Sequence, residues 1–258
     1  MSRERAYVYD LHITPLWREV FDRLYCKHAK LPTFGSVLEI NCGTGGLALE
    51  IAASLGERGK VLALEADDAL IELARTKASI TNLKNVTFGH VSLLDGIAEL
   101  YDLIIVDLSL SEATDVAAVT KLLRSGGTLV VKYLGRGSFD EVYSVLWEAL
   151  FEQGVAAEYQ SKLEQLIHRY RSCEQMAEYL RSLGLKSVRN YRHKEEFTFS
   201  DAKEFLDSPL MQQFMDDWMA VVKPGLRQRL SKNLRSVIDR DRRGFEVSIK
   251  ANVVIASK

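Results

Sequence analysis

Up to about residue 133, two hydrophobic rhythms alternate along the chain. Short apolar or β-branched runs give way to longer stretches in which apolar residues recur every three or four positions. The runs V-L-E-I (37–40), V-L-A-L-E (61–65), N-V-T-F-G-H-V (85–91), Y-D-L-I-I-V-D-L (101–108) and T-L-V-V-K-Y (128–133) predict strands. Between them, Leu47, Ile51 and Leu55 mark one face of a helix ending at Gly56. Asp67 and Asp68 suit the cap and first turn of a helix through about Ile80, and Ser111 opens another through Leu123. Repeated strand–helix alternation predicts a parallel sheet with right-handed crossovers. The fourth strand carries the most apolar run in the chain, as a strand buried on both faces should.

The flanking regions read differently. In residues 7–31, Pro15 suits a first helical turn, and Leu16, Val20 and Leu24, with Trp17, Phe21 and Tyr25, give an apolar helix face. This segment is expected to pack over the sheet or partly close a ligand site. After residue 133, Ser138 and Glu141 read as a capping box before a helix bearing Phe139, Val142, Leu146 and Leu150. Leu163, Leu166, Ile167 and Tyr170 mark a second helix. Ser172 with Gln175 caps a third that stops at Gly184, and K-S-V-R-N-Y (186–191) follows as a strand. From about 198 to 243 the pattern is helical again, with Ser208-Pro209 as a start and Lys223-Pro224 as a stop. Leu226, Leu230, Leu234 and Ile238 form the last stripe before a closing strand from Phe245.

Composition excludes several classes. With 47% apolar and 27% charged residues over 258 positions, the chain can build a substantial core. A formal net charge of −1 gives no global attraction to nucleic acid or an anionic membrane. The three cysteines are widely spaced with no CxxC pair, so neither a disulfide framework nor a zinc site is indicated and no metal is expected. No apolar run approaches the roughly 20 residues that span a bilayer. The N-terminus lacks a signal-peptide core, and the cytoplasm is the expected compartment.

The chemistry concentrates in G-S-V-L-E-I-N-C-G-T-G-G-L-A-L-E-I-A (35–52), a strand, a glycine turn and a helix. Gly43 and Gly45 allow a tight turn and close approach of a ligand to bare backbone, with free N–H groups at the next helix start. Glu65, ending the second strand some twenty residues on, suits a bidentate contact to ribose hydroxyls. A dinucleotide site requires G-x-G-x-x-G, but Asn41 stands at the first glycine and Leu47 at the third. Glu39, in the strand before the turn, would repel a pyrophosphate and suits an ammonium group. That points away from NAD and toward S-adenosyl-L-methionine.

In V-L-E-I-N-C-G-T-G-G-L-A, V-L-A-L-E-A-D, N-V-T-F-G-H-V-S-L-L-D, Y-D-L-I-I-V-D-L and L-L-R-S-G-G-T-L-V-V, the chain resembles the class I S-adenosylmethionine-dependent methyltransferases, in particular their small-molecule branch. The resemblance covers about residues 34–133 and extends more weakly through the last two strands. It implies a Rossmann-like α/β fold: a seven-stranded, mostly parallel sheet with helices on both faces, its last strand antiparallel, and a helical cap from about 134–184 and 198–243. The domain reading is an N-terminal helical segment (1–33), the cofactor-binding core (34–133), and cap elements plus the last two strands (134–258). The resemblance further implies that Glu39, Asn41, Cys42, Gly43, Thr44 and Gly45 surround the methionine end of the cofactor. Glu65 takes the ribose hydroxyls, Ala66 packs near the adenine, and Ser92 and Leu93 face the adenine edge. Asp107 ends the fourth strand beside the reactive methyl. Two positions depart from the family pattern: Asn41 replaces a glycine, tolerable because Asn adopts the left-handed region, and Ser92 replaces an acid. They leave open a non-catalytic cofactor binder of the same fold.

Methyl transfer chiefly requires alignment and exclusion of water, with a base needed only if the acceptor must lose a proton. His90, His168, Tyr133, Tyr170 and Asp107 are candidates, but no spacing singles one out and no catalytic base is assigned. The basic run Lys223, Arg227, Arg229, Lys232, Arg235, Arg240, Arg242 and Arg243 lacks interleaved aromatics, so a solvated helix face is favoured over RNA binding. Met211, Phe214, Met215 and Trp218 read as core packing, with an apolar acceptor pocket as the alternative. The expected function is methyl transfer to a small-molecule acceptor, with RNA as the alternative acceptor. No motif names the acceptor or the oligomeric state.

Overall fold

A computed structural model describes residues 2–111, 114–240 and 244–258. Helical segments α1 (Arg3–Val8), a π-helical stretch (Tyr9–Arg18) and α2 (Glu19–His28) precede the first strand. There follow β1 (Gly35–Ile40), α3 (Gly46–Leu55), β2 (Gly59–Glu65), α4 (Asp68–Ile80), β3 (Val86–His90), β4 (Tyr101–Asp107), α5 (Val116–Thr120) and β5 (Leu123–Leu134). The chain continues through α6 (Asp140–Glu152), α7 (Ala156–Ile167), α8 (Cys173–Ser182), β6 (Lys186–Phe199), α9 (Ala202–Asp207), α10 (Gln212–Met219), α11 (Pro224–Ile238) and β7 (Phe245–Ser257).

The strands form one seven-stranded sheet in the order β3-β2-β1-β4-β5-β7-β6. β1 pairs in parallel with β2 and β4, β2 with β3, and β4 with β5. Hydrogen bonds from Lys258 to Gly127 and from Gly135 to Lys250 run β7 antiparallel to β5. Because successive side chains alternate across a sheet, each strand feeds two cores. Val37, Val61, Ala63, Leu103, Ile105 and Val130 face Leu24 and Tyr25 of α2, Leu47 and Ile51 of α3, and Ile71 and Ala74 of α4. Leu38, Leu64, Ile104, Val106, Leu129 and Val131 face Val116 and Val119 of α5 and Met176 and Leu180 of α8. The sheet is therefore covered on both faces.

By density of contacts the chain forms two compact units, Met1–Tyr133 with Cys173–Arg192 and Ala251–Lys258, and Leu134–Ser172 with His193–Lys250. The second unit has its own aromatic core. Phe139 lies 4.7 Å from Phe214 and 5.2 Å from Trp218, and Phe205 lies 5.0 Å from Phe245 and 5.9 Å from Trp218, ring centre to ring centre. Met211, Phe214 and Trp218 are buried there, as the core reading expects.

Several local expectations are corrected. Pro15 lies inside the π-helical stretch rather than in a first turn, and Leu16 is exposed while Trp17 is buried. The fifth strand starts at Leu123, and the S-G-G turn is an irregularity within it between the pairs Tyr101–Leu123 and Leu103–Thr128. The helix expected from Ser111 is the shorter α5, capped by Asp115; Glu112 and Ala113 lie outside the described residues. Ser138 and Glu141 form no capping box, because Glu141 accepts from the backbone and hydroxyl of Ser248 and Ser138 donates to Gly135. α10 starts after Met211 rather than at Pro209, and Pro224 begins α11 instead of ending a helix. α8, grouped with the cap from sequence, packs on the sheet.

Candidate functional site

The strand ends define the site by parity. Glu39 lies two residues beyond Val37 on β1, Glu65 two beyond Ala63 on β2, and Asp107 two beyond Ile105 on β4. Lys132 likewise lies two beyond Val130 on β5. All four therefore point to the face covered by α2 and α3, at the C-terminal end where open α/β sheets bind ligands.

The glycine turn closes this row. Asn41 has φ 60°, Gly43 φ 59° and Gly45 φ 77°, so the left-handed geometry falls on asparagine and two glycines. Asn41 donates its side-chain amide to the Asp107 carbonyl at 2.8 Å and to Thr114 Oγ1 at 3.2 Å. Cys42 is buried and donates its N–H to the Leu64 carbonyl; burial pushes its thiol far up, favouring the protonated form. Glu65 accepts from Gly43 N–H at 2.8 Å with one oxygen and from Ala66 N–H at 2.8 Å with the other. A Cβ on Gly45 would lie 2.6 Å from the Phe88 ring, so that glycine serves the contact between the turn and β3.

Sequence reasoning missed the cations. Lys132 is 1% exposed; it bonds Asp22 of α2 and lies 3.9 Å from Glu39 and 4.0 Å from Asp107. Burial alone disfavours its charge, but Asp22, Asp107 and Glu39 more than offset this and hold its pKa above the ordinary lysine value. Arg18 is 7% exposed and donates to Tyr9 Oη at 2.7 Å, Asn41 O at 2.6 Å and Asp107 Oδ2 at 3.3 Å, with Glu65 at 3.9 Å. Trp17 donates to Ser109 Oγ, which in turn donates to Asp107 Oδ1 at 2.6 Å. Thr44 donates to Asp10 at 2.5 Å, and Lys77 bonds both. The available signal for Lys132 was a lone lysine in the apolar run V-V-K-Y, which must find carboxylates when buried.

At the other end of the row, Ser92 N–H donates to His90 Nδ1, which leaves the proton on Nε2 for the Ala66 carbonyl at 3.1 Å. His90 thus ties the ends of β2 and β3, with Ala66, Ser92 and Leu93 exposed beside it. Of the other base candidates, Tyr133 does not join Asp107. Tyr133 is buried on the opposite face, bonded to Asn190, while His168 and Tyr170 belong to the second unit. Among the described residues, no cluster of His, Cys, Asp and Glu could hold a metal ion, and no helix is long and apolar enough to cross a membrane.

Residues 35–199, β1 through β6, match the family model described as a methyltransferase domain. The chain belongs to this family. The methyltransferase domain is of the class I, S-adenosylmethionine-dependent kind. It is 29% identical over 101 residues to a demethylmenaquinone methyltransferase of Lactococcus lactis, covering 37% of this chain and 40% of that protein. It is 33% identical over 72 residues to a probable cobalt-precorrin-6B C(15)-methyltransferase of Sulfolobus acidocaldarius, covering 28% and 38%. The chain therefore spans about two fifths of these relatives. In fold, it matches the YcgJ protein of Bacillus subtilis with a TM-score of 0.57 at 13% identity, over 93% of this chain and 98% of that one. A methyltransferase of Thiobacillus denitrificans in complex with S-adenosyl-L-homocysteine matches at 0.54 and 15% identity, over 95% and 93%.

The donor set of the methyltransferase domain fits its cofactor. Glu39 is 1% exposed and its Oε2 has no hydrogen-bond partner, an acceptor suited to an ammonium group. Burial pushes the Glu39 carboxyl up to about 7, against the pull of Lys132, so an added cation would favour its ionised form. Among the described residues, the ion pairs of Asp22, Glu39, Glu65 and Asp107 run to Arg18 and Lys132, four carboxylates to two cations.

Proposed function

We propose that this methyltransferase domain transfers the methyl group of S-adenosylmethionine to a small-molecule acceptor. The observation that carries the reading is the row Glu39, Glu65 and Asp107 around the Gly43 turn, on one face and at one end of the sheet. Bound there, the cofactor supplies an electrophilic methyl on a sulfonium. Glu39 receives its ammonium group and Glu65 its ribose hydroxyls, while Ala66, Ser92 and Leu93 border the adenine. Ser92 is neutral and already engaged with His90, so adenine contacts at this edge rely on backbone and hydrogen bonding rather than charge. Asp107 has one oxygen held by the backbone N–H and hydroxyl of Ser109 and Lys132 4.0 Å from the other, which suits a fixed negative charge near the reacting centre better than a free base. Lys132 and Ser109 hold that charge in place, and a buried, preorganised site excludes water.

The named relatives support a small acceptor, since one acts on a quinone precursor and one on a corrin precursor by name. RNA is disfavoured by acids set against the basic helix: Glu158 meets Lys223, and Glu148 and Glu152 meet Arg240. Arg242 and Arg243 lie outside the described residues.

The test is thermal unfolding with S-adenosylmethionine, S-adenosylhomocysteine and NAD added separately. A ligand at one hundred times its Kd adds about 2.7 kcal/mol; both adenosyl compounds should raise Tm and NAD should not. Methyl-labelled cofactor incubated with cell extract should then label the low-molecular-weight fraction. Label found in RNA would replace the small-molecule reading.

A further inference from the structure

Arg18 occupies the space over the glycine turn. A Cβ built on Gly43 would lie 2.5 Å from Arg18 Nε and 2.8 Å from its Cζ, so the guanidinium rests against the bare backbone that a ligand of this turn would approach. From there it reaches Asp107 at 3.3 Å and Glu65 at 3.9 Å. Those acids are assigned to opposite parts of the donor, the reacting methyl and the ribose. One side chain of this chain therefore spans both and supplies the positive charge that a cationic donor would bring.

The segment carrying Arg18 departs from regular helix geometry. Tyr9–Arg18 is π-helical over ten residues with Pro15 inside it, although π geometry is usually confined to single turns and is frequent at functional sites. Thr14 Oγ1 is buried without a hydrogen-bond partner, an uncompensated cost of the present conformation. Leu11 and Leu16 are 67% and 52% exposed, so the outer face of the segment gains little from burial. Ala6, Tyr9, Ile13 and Trp17 anchor its inner face. Much of its remaining attachment is polar: Asp10 to Thr44 and Lys77, Trp17 to Ser109, and Arg18 to the acids.

We propose that Arg18 is an internal competitor for the donor site: the segment Arg3–Arg18 seats its guanidinium over the Gly43 turn, and the adenosyl ligand displaces it from Glu65 and Asp107. The inference rests on the donor-site reading above. Its consequence is quantitative, because the apparent affinity is the intrinsic one reduced by the fraction of protein that is open. Relieving the competition tightens binding without adding a contact.

The experiment is calorimetric titration of wild type, Arg18→Ala and Tyr9→Phe with S-adenosylhomocysteine, together with hydrogen–deuterium exchange of the wild type. If about a tenth of the protein is open, Arg18→Ala should bind about tenfold more tightly. Tyr9→Phe keeps the cation but frees its Nε, and should shift affinity the same way by less. Added ligand should speed amide exchange in residues 3–18 of the wild type while slowing it in residues 41–47. Weaker or unchanged binding by both variants, or slower exchange in residues 3–18 on loading, overturns the proposal; Arg18 would then be a ligand contact or a bystander. Absence of binding to all three proteins would instead overturn the donor-site reading.

Discussion

Lys132 and Asp107 are register partners across β4 and β5, and their charged groups lie 4.0 Å apart with each side chain 1% exposed. Asp22 and Glu39 flank the same ammonium, so three carboxyl groups share one cation. Breaking a buried pair from one side costs roughly 3–5 kcal/mol. Lys132→Met should lose about that much in urea unfolding, and adding Asp22→Asn should recover part of it. Strictly additive losses would show that the two groups are not coupled.

Glu39 carries a pH signature. Its folded pKa is raised from 4.5 to about 7, so between those values the folded protein holds a proton that the unfolded chain has released. Stability from this group is therefore greatest at low pH and falls as pH rises through that window, by on the order of 2–3 kcal/mol between about pH 5 and pH 8. Denaturant titrations at the two values should show the fall in wild type and a smaller one in Glu39→Gln. Ligand binding near pH 6.5 should also release a proton from Glu39, visible as a buffer-dependent enthalpy.

Gly43 and Arg18 should be energetically coupled. Ala at position 43 meets both a left-handed backbone, φ 59°, and the guanidinium at 2.5 Å. Gly43→Ala is expected to cost about 2–5 kcal/mol, as roughly 1–2 for the left-handed backbone and 1–3 for the overlap. In the Arg18→Ala background only the backbone part should remain. A double-mutant cycle of the four proteins by chemical denaturation measures the difference, and equal costs in both backgrounds would refute the contact.

Glu65 has two duties that substitution separates. Its oxygens hold the N–H groups of Gly43 and Ala66, and the donor reading adds the ribose. Glu65→Ala should both lower Tm and abolish the stabilisation by S-adenosylhomocysteine. Glu65→Gln, which keeps one acceptor oxygen, should preserve more of the fold than of the ligand shift. A full ligand shift in Glu65→Ala would remove the ribose assignment.

The aromatic cluster of the second unit is a stability element. Trp218 is 1% exposed among Phe139, Phe205 and Phe214, and Trp218→Ala should cost about 3–5 kcal/mol in unfolding experiments. A loss below about 1 kcal/mol would fit a pocket lining better than a core.

The sequence by itself determined the strand–turn–helix frame, the parallel core and the acids at its strand ends. These follow from local rules: apolar period sets strand or helix, and parity places Glu39, Glu65 and Asp107 on one face once their strands are known. Local rules also made Asn41 and Gly43 legible as left-handed positions. They failed where a residue's partner lies far along the chain. Glu141 matched a capping box but is taken by Ser248, and Pro224 reads as a stop until its position at the start of α11 is known. Only the tertiary structure decided that Arg18 and Lys132 meet those acids, because Arg18 comes from the segment before β1 and Lys132 from β5, 25 positions beyond Asp107. A buried charge is specified by the carboxylates folding brings around it, and no local pattern carries that information.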